Sequence, residues 1–103
     1  MSDKIFSYKD FKAVKTGSDY SVGLFAPEIY GLCKYQFGTS SGNGYNEYFK
    51  ISKKDFDEFP DNEESLTNRL FSNWFINKMY YLCSDYTESH FTFTLEKYNN
   101  IKL

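Results

Sequence analysis

Apolar and polar residues alternate through the middle of the chain with the two-residue period of half-buried strands. From Tyr20 to Ala26, the residues Tyr20, Val22 and Leu24 alternate with Ser21, Gly23 and Phe25. Pro27 ends that run, because proline cannot donate to a ladder. Ile29 to Phe37 is a second, aromatic-rich run that stops at Gly38. Gly38-Thr39-Ser40-Ser41-Gly42-Asn43-Gly44 has the composition of a hairpin loop. Tyr45 to Ile51 then resumes the alternation, with Tyr45, Glu47, Phe49 and Ile51 on one face and Asn46, Tyr48 and Lys50 on the other. These three segments predict an antiparallel meander joined by short turns. Ahead of them, Ile5, Phe6, Tyr8, Phe11, Ala13 and Val14 follow a mixed period. That pattern fits a short strand, a helical turn, or one after the other, and Thr16-Gly17-Ser18-Asp19 closes it with turn chemistry.

The period changes after Ile51. Ser52, with Asp55 three residues on, has the form of a capping box opening a short helix from Lys53 to Phe59, which Pro60 breaks. Asp61-Asn62-Glu63-Glu64 is a second N-terminal signature, with acids where the helix dipole favours them. Leu66, Leu70 and Trp74, together with Phe71, Phe75, Met79 and Leu82, recur at spacings of three and four, which predicts a long amphipathic helix from about Asn62 to Cys83. Ser84-Asp85 closes it. His90, Thr92 and Thr94 alternate with Phe91, Phe93 and Leu95, so Ser89 to Leu95 reads as a final strand, and Glu96 to Leu103 as a frayed tail. The predicted fold class is α+β: an antiparallel meander of about four strands packed against one long amphipathic helix.

Composition sharpens this picture in one respect. The 103 residues suit one domain, 1–103, able to bury about two-thirds of its unfolded surface, and no internal repeat or linker divides them. Aromatic residues make up 21% of the chain, so the core must be built largely from rings. Ten tyrosines exceed what a small core holds with every hydroxyl bonded, which places some of them at the surface, where tyrosine favours contacts. A net charge of -2 lacks the basic footprint that nucleic acid or an anionic membrane requires. Cys33 and Cys83 lie in apolar runs and read as buried, reduced thiols. The opening Met1-Ser2-Asp3-Lys4 starts no apolar signal segment and no run reaches membrane-spanning length, so the expectation is a soluble, cytoplasmic protein.

Each motif that could carry catalysis fails on its context. Gly38-Thr39-Ser40-Ser41-Gly42 matches the letters of a nucleophile elbow, but joins two strands where that motif needs a strand-to-helix turn. The same loop lacks the Gly-Lys-Ser/Thr of a phosphate loop. His90 is the sole imidazole, and a lone histidine on a terminal strand is more often solvent-facing than catalytic. One histidine and two distant cysteines suit neither zinc nor calcium. The expectation is therefore no catalytic residue, no metal and no cofactor.

One constellation remains. Asp55, Asp57, Glu58, Asp61, Glu63 and Glu64 are six acids within ten residues, and no Lys or Arg falls between them. Capping and the helix dipole account for part of the cluster. The rest reads as a negative patch for a basic partner surface, with Tyr45 and Tyr48 just upstream as aromatic anchors. The candidate partner-binding residues are thus Tyr45, Tyr48, Asp55, Asp57, Glu58, Asp61, Glu63 and Glu64.

The run Tyr48-Phe49-Lys50-Ile51-Ser52-Lys53-Lys54-Asp55-Phe56 feeds a strand into a helix through an Ile-Ser-x-x-Asp-Phe junction. Together with the aromatic meander before it and the helix after it, over roughly residues 20–83, the chain resembles the small immunity proteins of bacterial contact-dependent and polymorphic toxin systems. The resemblance implies a cytosolic inhibitor that binds a cognate toxin domain, often a nuclease, and blocks its active site or another essential surface. Direct contact with nucleic acid or membrane is not part of that picture. Two other classes share the profile: a phage-encoded inhibitor of a bacterial defence system, and a small enzyme assembling its site from scattered Tyr, Asp and Glu.

Overall fold

The computed structural model describes residues 4–36, 44–71 and 79–103. The opening segment is one motif after another: strand β1 (Ile5–Ser7), a 3-10 turn (Tyr8–Asp10) and strand β2 (Lys12–Thr16), which explains its mixed period. Strands β3 (Tyr20–Ala26), β4 (Ile29–Gln36) and β5 (Tyr45–Lys50) form where alternation placed them. Pro27 and Glu28 make the two-residue turn between β3 and β4, with Glu28 at φ 67° in the position that follows proline in a type II turn. The loop segment 37–43 lies outside the described residues.

Helix α1 (Lys53–Glu58) starts on the expected capping box: Ser52 Oγ accepts from the Asp55 amide at 3.0 Å, and Asp55 Oδ2 accepts from the Ser52 amide at 3.1 Å. Helix α2 (Glu63–Phe71) follows. The long helix expected to reach Cys83 does not: Tyr81–Ser84 is strand β6, antiparallel to β5 with Tyr48 opposite Cys83. A spacing of three and four could not exclude this, because β5 offers a free edge whose pairing outweighs local helix preference. Trp74 and Phe75, expected on the helix stripe, lie outside the described residues. Met79, expected on the same stripe, is 60% exposed.

The end of the chain also departs from expectation. Glu88–His90 is a 3-10 turn, β7 (Thr92–Thr94) is short, and Leu95 begins helix α3 (Leu95–Asn100) where a tail was expected. Thr94 caps α3 by accepting from the Lys97 amide at 3.0 Å. Tyr98 is buried, its hydroxyl donating to Tyr30 O and accepting from Tyr30 N. Lys50 Nζ donates to Tyr98 O and Ile101 O at 2.7 and 3.0 Å and lies over the Tyr98 ring, and Lys97 Nζ donates to Leu82 O. The carbonyls at the end of this helix are thus satisfied by a cation from the sheet.

The α+β class holds, with a five-stranded antiparallel sheet, ordered β2-β3-β4-β5-β6, and a separate β1–β7 ribbon. Both faces of the sheet are covered. Val22, Leu32 and Phe49 stand in register across β3, β4 and β5 and pack with Ile51, Phe59, Leu66 and Leu70 beneath α1 and α2. One residue along, on the opposite face, Tyr48 joins Phe25, Leu82 and Cys83 beneath Phe6, Phe93 and Tyr98 from β1, β7 and α3. Rings dominate this second face: Phe25 lies edge-on to Phe93 at 4.9 Å, and Phe11 packs against both Phe25 and Tyr48. Gly23 has no side chain because the backbone of Lys12 on β2 occupies the space a Cβ would need.

Candidate functional site

The acidic residues divide by what holds them. Asp55 is turned inward, 9% exposed, with Oδ2 accepting from Arg69 Nη2 at 2.6 Å as well as from the Ser52 amide. Glu63 spans to the turn between β2 and β3 and accepts from the amides of Ser18, Asp19 and Tyr20 at 2.9, 3.1 and 3.3 Å. Partial burial pushes its pKa up, but these three amides together pull it below the ordinary carboxylate value. A Cβ at Gly17 would crowd the Glu63 carboxylate and the Phe59 ring, so a larger residue here would have to displace this tie. Asp55 ties α1 to α2, and Glu63 ties α2 to the β2–β3 turn.

Asp57, Glu58, Asp61 and Glu64 are exposed. Asp57 pairs with Lys53 at 2.7 Å across one helical turn, an open pair that contributes little to stability. Asp57, Glu58 and Asp61 line a shallow hollow over Phe59 and Asn62 at the elbow between α1 and α2. The helix that carries Asp57 and Glu58 is fixed from beneath by Lys15, whose Nζ donates to Phe56 O and Asp57 O at 2.7 and 3.1 Å.

The two tyrosines expected beside this patch lie elsewhere. Tyr48 is 6% exposed and belongs to the core, because β5 is buried on both faces and its neighbour Phe49 fills the other. Burial drives its pKa far upward, and the Cys33 thiol shares a hydrogen bond with it. Cys33 and Cys83, both free thiols, flank Tyr48 on β4 and β6, and burial raises them to about 11 and about 12. Tyr45 is half-buried in a second cleft with Glu47, Tyr81, Ser84, Tyr86, Thr87 and His90, about 220 Å³ in volume. Its ring lies 4.6 Å from that of Tyr86. Tyr81 Oη is 3.3 Å from His90 Nδ1. Partial burial raises the pKa of Tyr45 and Tyr81, and the Glu47 charge raises both further.

Nothing in the periodicity of the chain points to this cleft. The spacing places Tyr81 on a helix, and only the pairing of β6 with β5 brings it beside Glu47. The one available signal was the tyrosine excess, which required rings at the surface without saying where. Among the described residues no group of three or more His, Cys, Asp or Glu is placed to hold a metal ion, and no helix is long and apolar enough to cross a membrane. Comparison with models of protein families, with curated proteins and with solved structures finds no match to this chain.

Proposed function

We propose that this protein is a small binding inhibitor of the immunity type, which neutralises a bacterial toxin domain by docking the acidic elbow of α1 and α2 on a basic surface. The observation that carries the reading is the division among the acids. Asp55 and Glu63 are consumed inside the fold, whereas Asp57, Glu58, Asp61 and Glu64 all face outward from a clamped pair of helices. Acids held on a braced frame lose little freedom on binding and steer a cationic partner during encounter. A nuclease toxin, whose cleft must attract phosphates, offers such a partner. The resemblance of the strand-to-helix junction at Tyr48–Phe56 to immunity proteins supports the same reading. Tyr48 and Asp55 drop out of the contact because they are buried, Glu63 because its carboxylate is taken by three amides, and Tyr45 because it lies in the other cleft, which leaves Asp57, Glu58, Asp61 and Glu64 as its centre.

This reading predicts a toxin gene beside the gene for this chain, and the test is co-expression of the chain with that toxin domain. The wild-type chain is expected to rescue growth. Reversing Asp57, Glu58 and Asp61 to Lys is expected to weaken binding by roughly tenfold or more at low salt and to flatten its salt dependence. Calorimetric affinity that is unchanged in the triple variant, with circular dichroism also unchanged, would reduce the patch to helix capping.

A further inference from the structure

A third cleft, of about 590 Å³, lies between α1 and α2, lined by both helices. Lys54, Glu58 and Arg69 bring charge to it, and Leu66 and Leu103 are its apolar lining. Arg69 is oriented by the buried Asp55 carboxylate, which takes one N–H from Nη2 at 2.6 Å. A guanidinium has five such donors, so most of this one is left over. Lys54 and Glu58 are exposed and stand one turn apart on α1. Their neighbours at the same spacing, Lys53 and Asp57, close into an ion pair at 2.7 Å. Lys54 and Glu58 do not: among the described residues neither makes an ion pair or a side-chain hydrogen bond. The hydroxyls of the lining are already in use, Ser52 Oγ on the Asp55 amide and Ser65 Oγ on Asn62 O.

From this arrangement we infer that the cleft binds a small zwitterion, an α-amino acid with an apolar side chain. The charges of Asp55 and Arg69 offset each other, which leaves one open charge of each sign, Lys54 and Glu58. An ion of a single sign is attracted by one of these and repelled by the other. An α-amino acid carries both signs on one carbon and answers both. Its carboxylate pairs with Lys54 and the unused N–H groups of Arg69, whose planar fork matches carboxylate geometry. Its ammonium pairs with Glu58. Because Asp55 already fixes the guanidinium, little side-chain freedom is lost there on binding. The apolar side chain rests against Leu66 and Leu103. The site stands apart from the toxin reading and shares only Glu58 with the proposed contact.

The experiment needs no partner protein. L-leucine is titrated into the intact chain at neutral pH and constant ionic strength, and the amide NMR signals of Ser65 and Leu66 are followed. They are expected to shift saturably in the millimolar range. N-acetyl-L-leucine lacks the ammonium and L-leucinamide lacks the carboxylate; each is expected to bind about fivefold more weakly or less. Lys54→Met and Glu58→Gln, at exposed positions without a partner, leave the fold intact and should each weaken L-leucine binding by about threefold. No saturable shift with L-leucine, equal affinity for the three compounds, or unchanged binding in both variants would each overturn the assignment. Such a failure is distinguishable from failure of the toxin reading, because Asp57, Asp61 and the toxin take no part in it.

Discussion

Both faces of the five-stranded sheet are buried, but by different means. One face is covered by α1 and α2, which follow β5 directly along the chain. Its core of Val22, Leu32, Phe49 and Ile51 against Phe59, Leu66 and Leu70 is mostly aliphatic. The other face is covered by the two ends of the chain, which meet through a ribbon of three residues on each side, Ile5–Ser7 against Thr92–Thr94. Its core is rings: Phe6, Phe25, Tyr48, Phe93 and Tyr98. The difference lies in where the rings sit: on the helical face most of them, Tyr20, Tyr30, Phe56, Phe71, Tyr80 and Tyr81, surround an aliphatic centre, whereas on the terminal face rings form the centre itself. Large rings gain much apolar area per residue, which suits a layer made from short, sequence-distant segments that must each recover a large ordering cost.

Core truncation gives the largest effects and tests whether the two faces form one cooperative unit. Phe49→Ala on the helical face and Phe93→Ala on the terminal face should each lower stability by about 3–5 kcal/mol. Both should keep a single unfolding transition, coincident by far- and near-ultraviolet circular dichroism. A biphasic transition confined to Phe93→Ala would show that the terminal layer opens independently and would break the equivalence of the two faces.

Lys50→Met addresses the terminal layer alone. It removes the hydrogen bonds to Tyr98 O and Ile101 O and the cation over the Tyr98 ring. The expected loss is about 1–2 kcal/mol. Hydrogen exchange should show it first in α3, with α2 unaffected; uniform loss across both would mean that the latch is not local.

Glu63 is the corresponding tie on the helical side, and its effect depends on pH. Its folded-state pKa lies below the ordinary 4.5. The carboxylate therefore contributes its full stabilisation above that ordinary value, and the contribution fades as pH falls through the lower, folded value. Because the group lies at the surface and is partly exposed, Glu63→Gln should cost only about 1 kcal/mol at neutral pH. The gap between wild type and variant should close on acidification in parallel denaturation series; a gap that widens toward low pH would reverse the assigned sign.

The smallest effects lie where neither face is involved. Reversing Asp57, Glu58 and Asp61 to Lys should leave stability within about 0.5 kcal/mol per site, whatever it does to binding. The thiols provide a chemical check on burial. Raised to about 11 and about 12, Cys33 and Cys83 stay protonated in the native state and should react with a thiol reagent far more slowly than in denaturant, Cys83 more slowly than Cys33. Fast native-state labelling of Cys83 would show that the terminal layer lifts off the sheet.

Locally encoded elements were legible in the chain. Strands β3, β4 and β5, the stop at Pro27 and the capping box of α1 all depend on residues within a few positions of one another, and each formed where the pattern placed it. The acids were identified as a group, and sequence alone could not sort them. Nothing near Glu63 in the chain announces that Ser18, Asp19 and Tyr20 will turn their amides toward it, nor does anything near Asp55 announce Arg69.

By itself, then, the order of residues determined the meander, the first helix and the need for a ring-built core, because period, turn chemistry and capping act over short distances. Only the tertiary structure decided that Tyr81–Ser84 is a strand, that Tyr48 is core, that the final residues form a capped helix, and that Tyr45, Glu47, Tyr81, Tyr86 and His90 share a cleft. The physical reason is the same in each case. An edge on β5, two apolar sheet faces and a half-buried lysine are offered by residues far away in the chain, and their pairing and burial outweigh the smaller local preferences on which a reading of spacing depends.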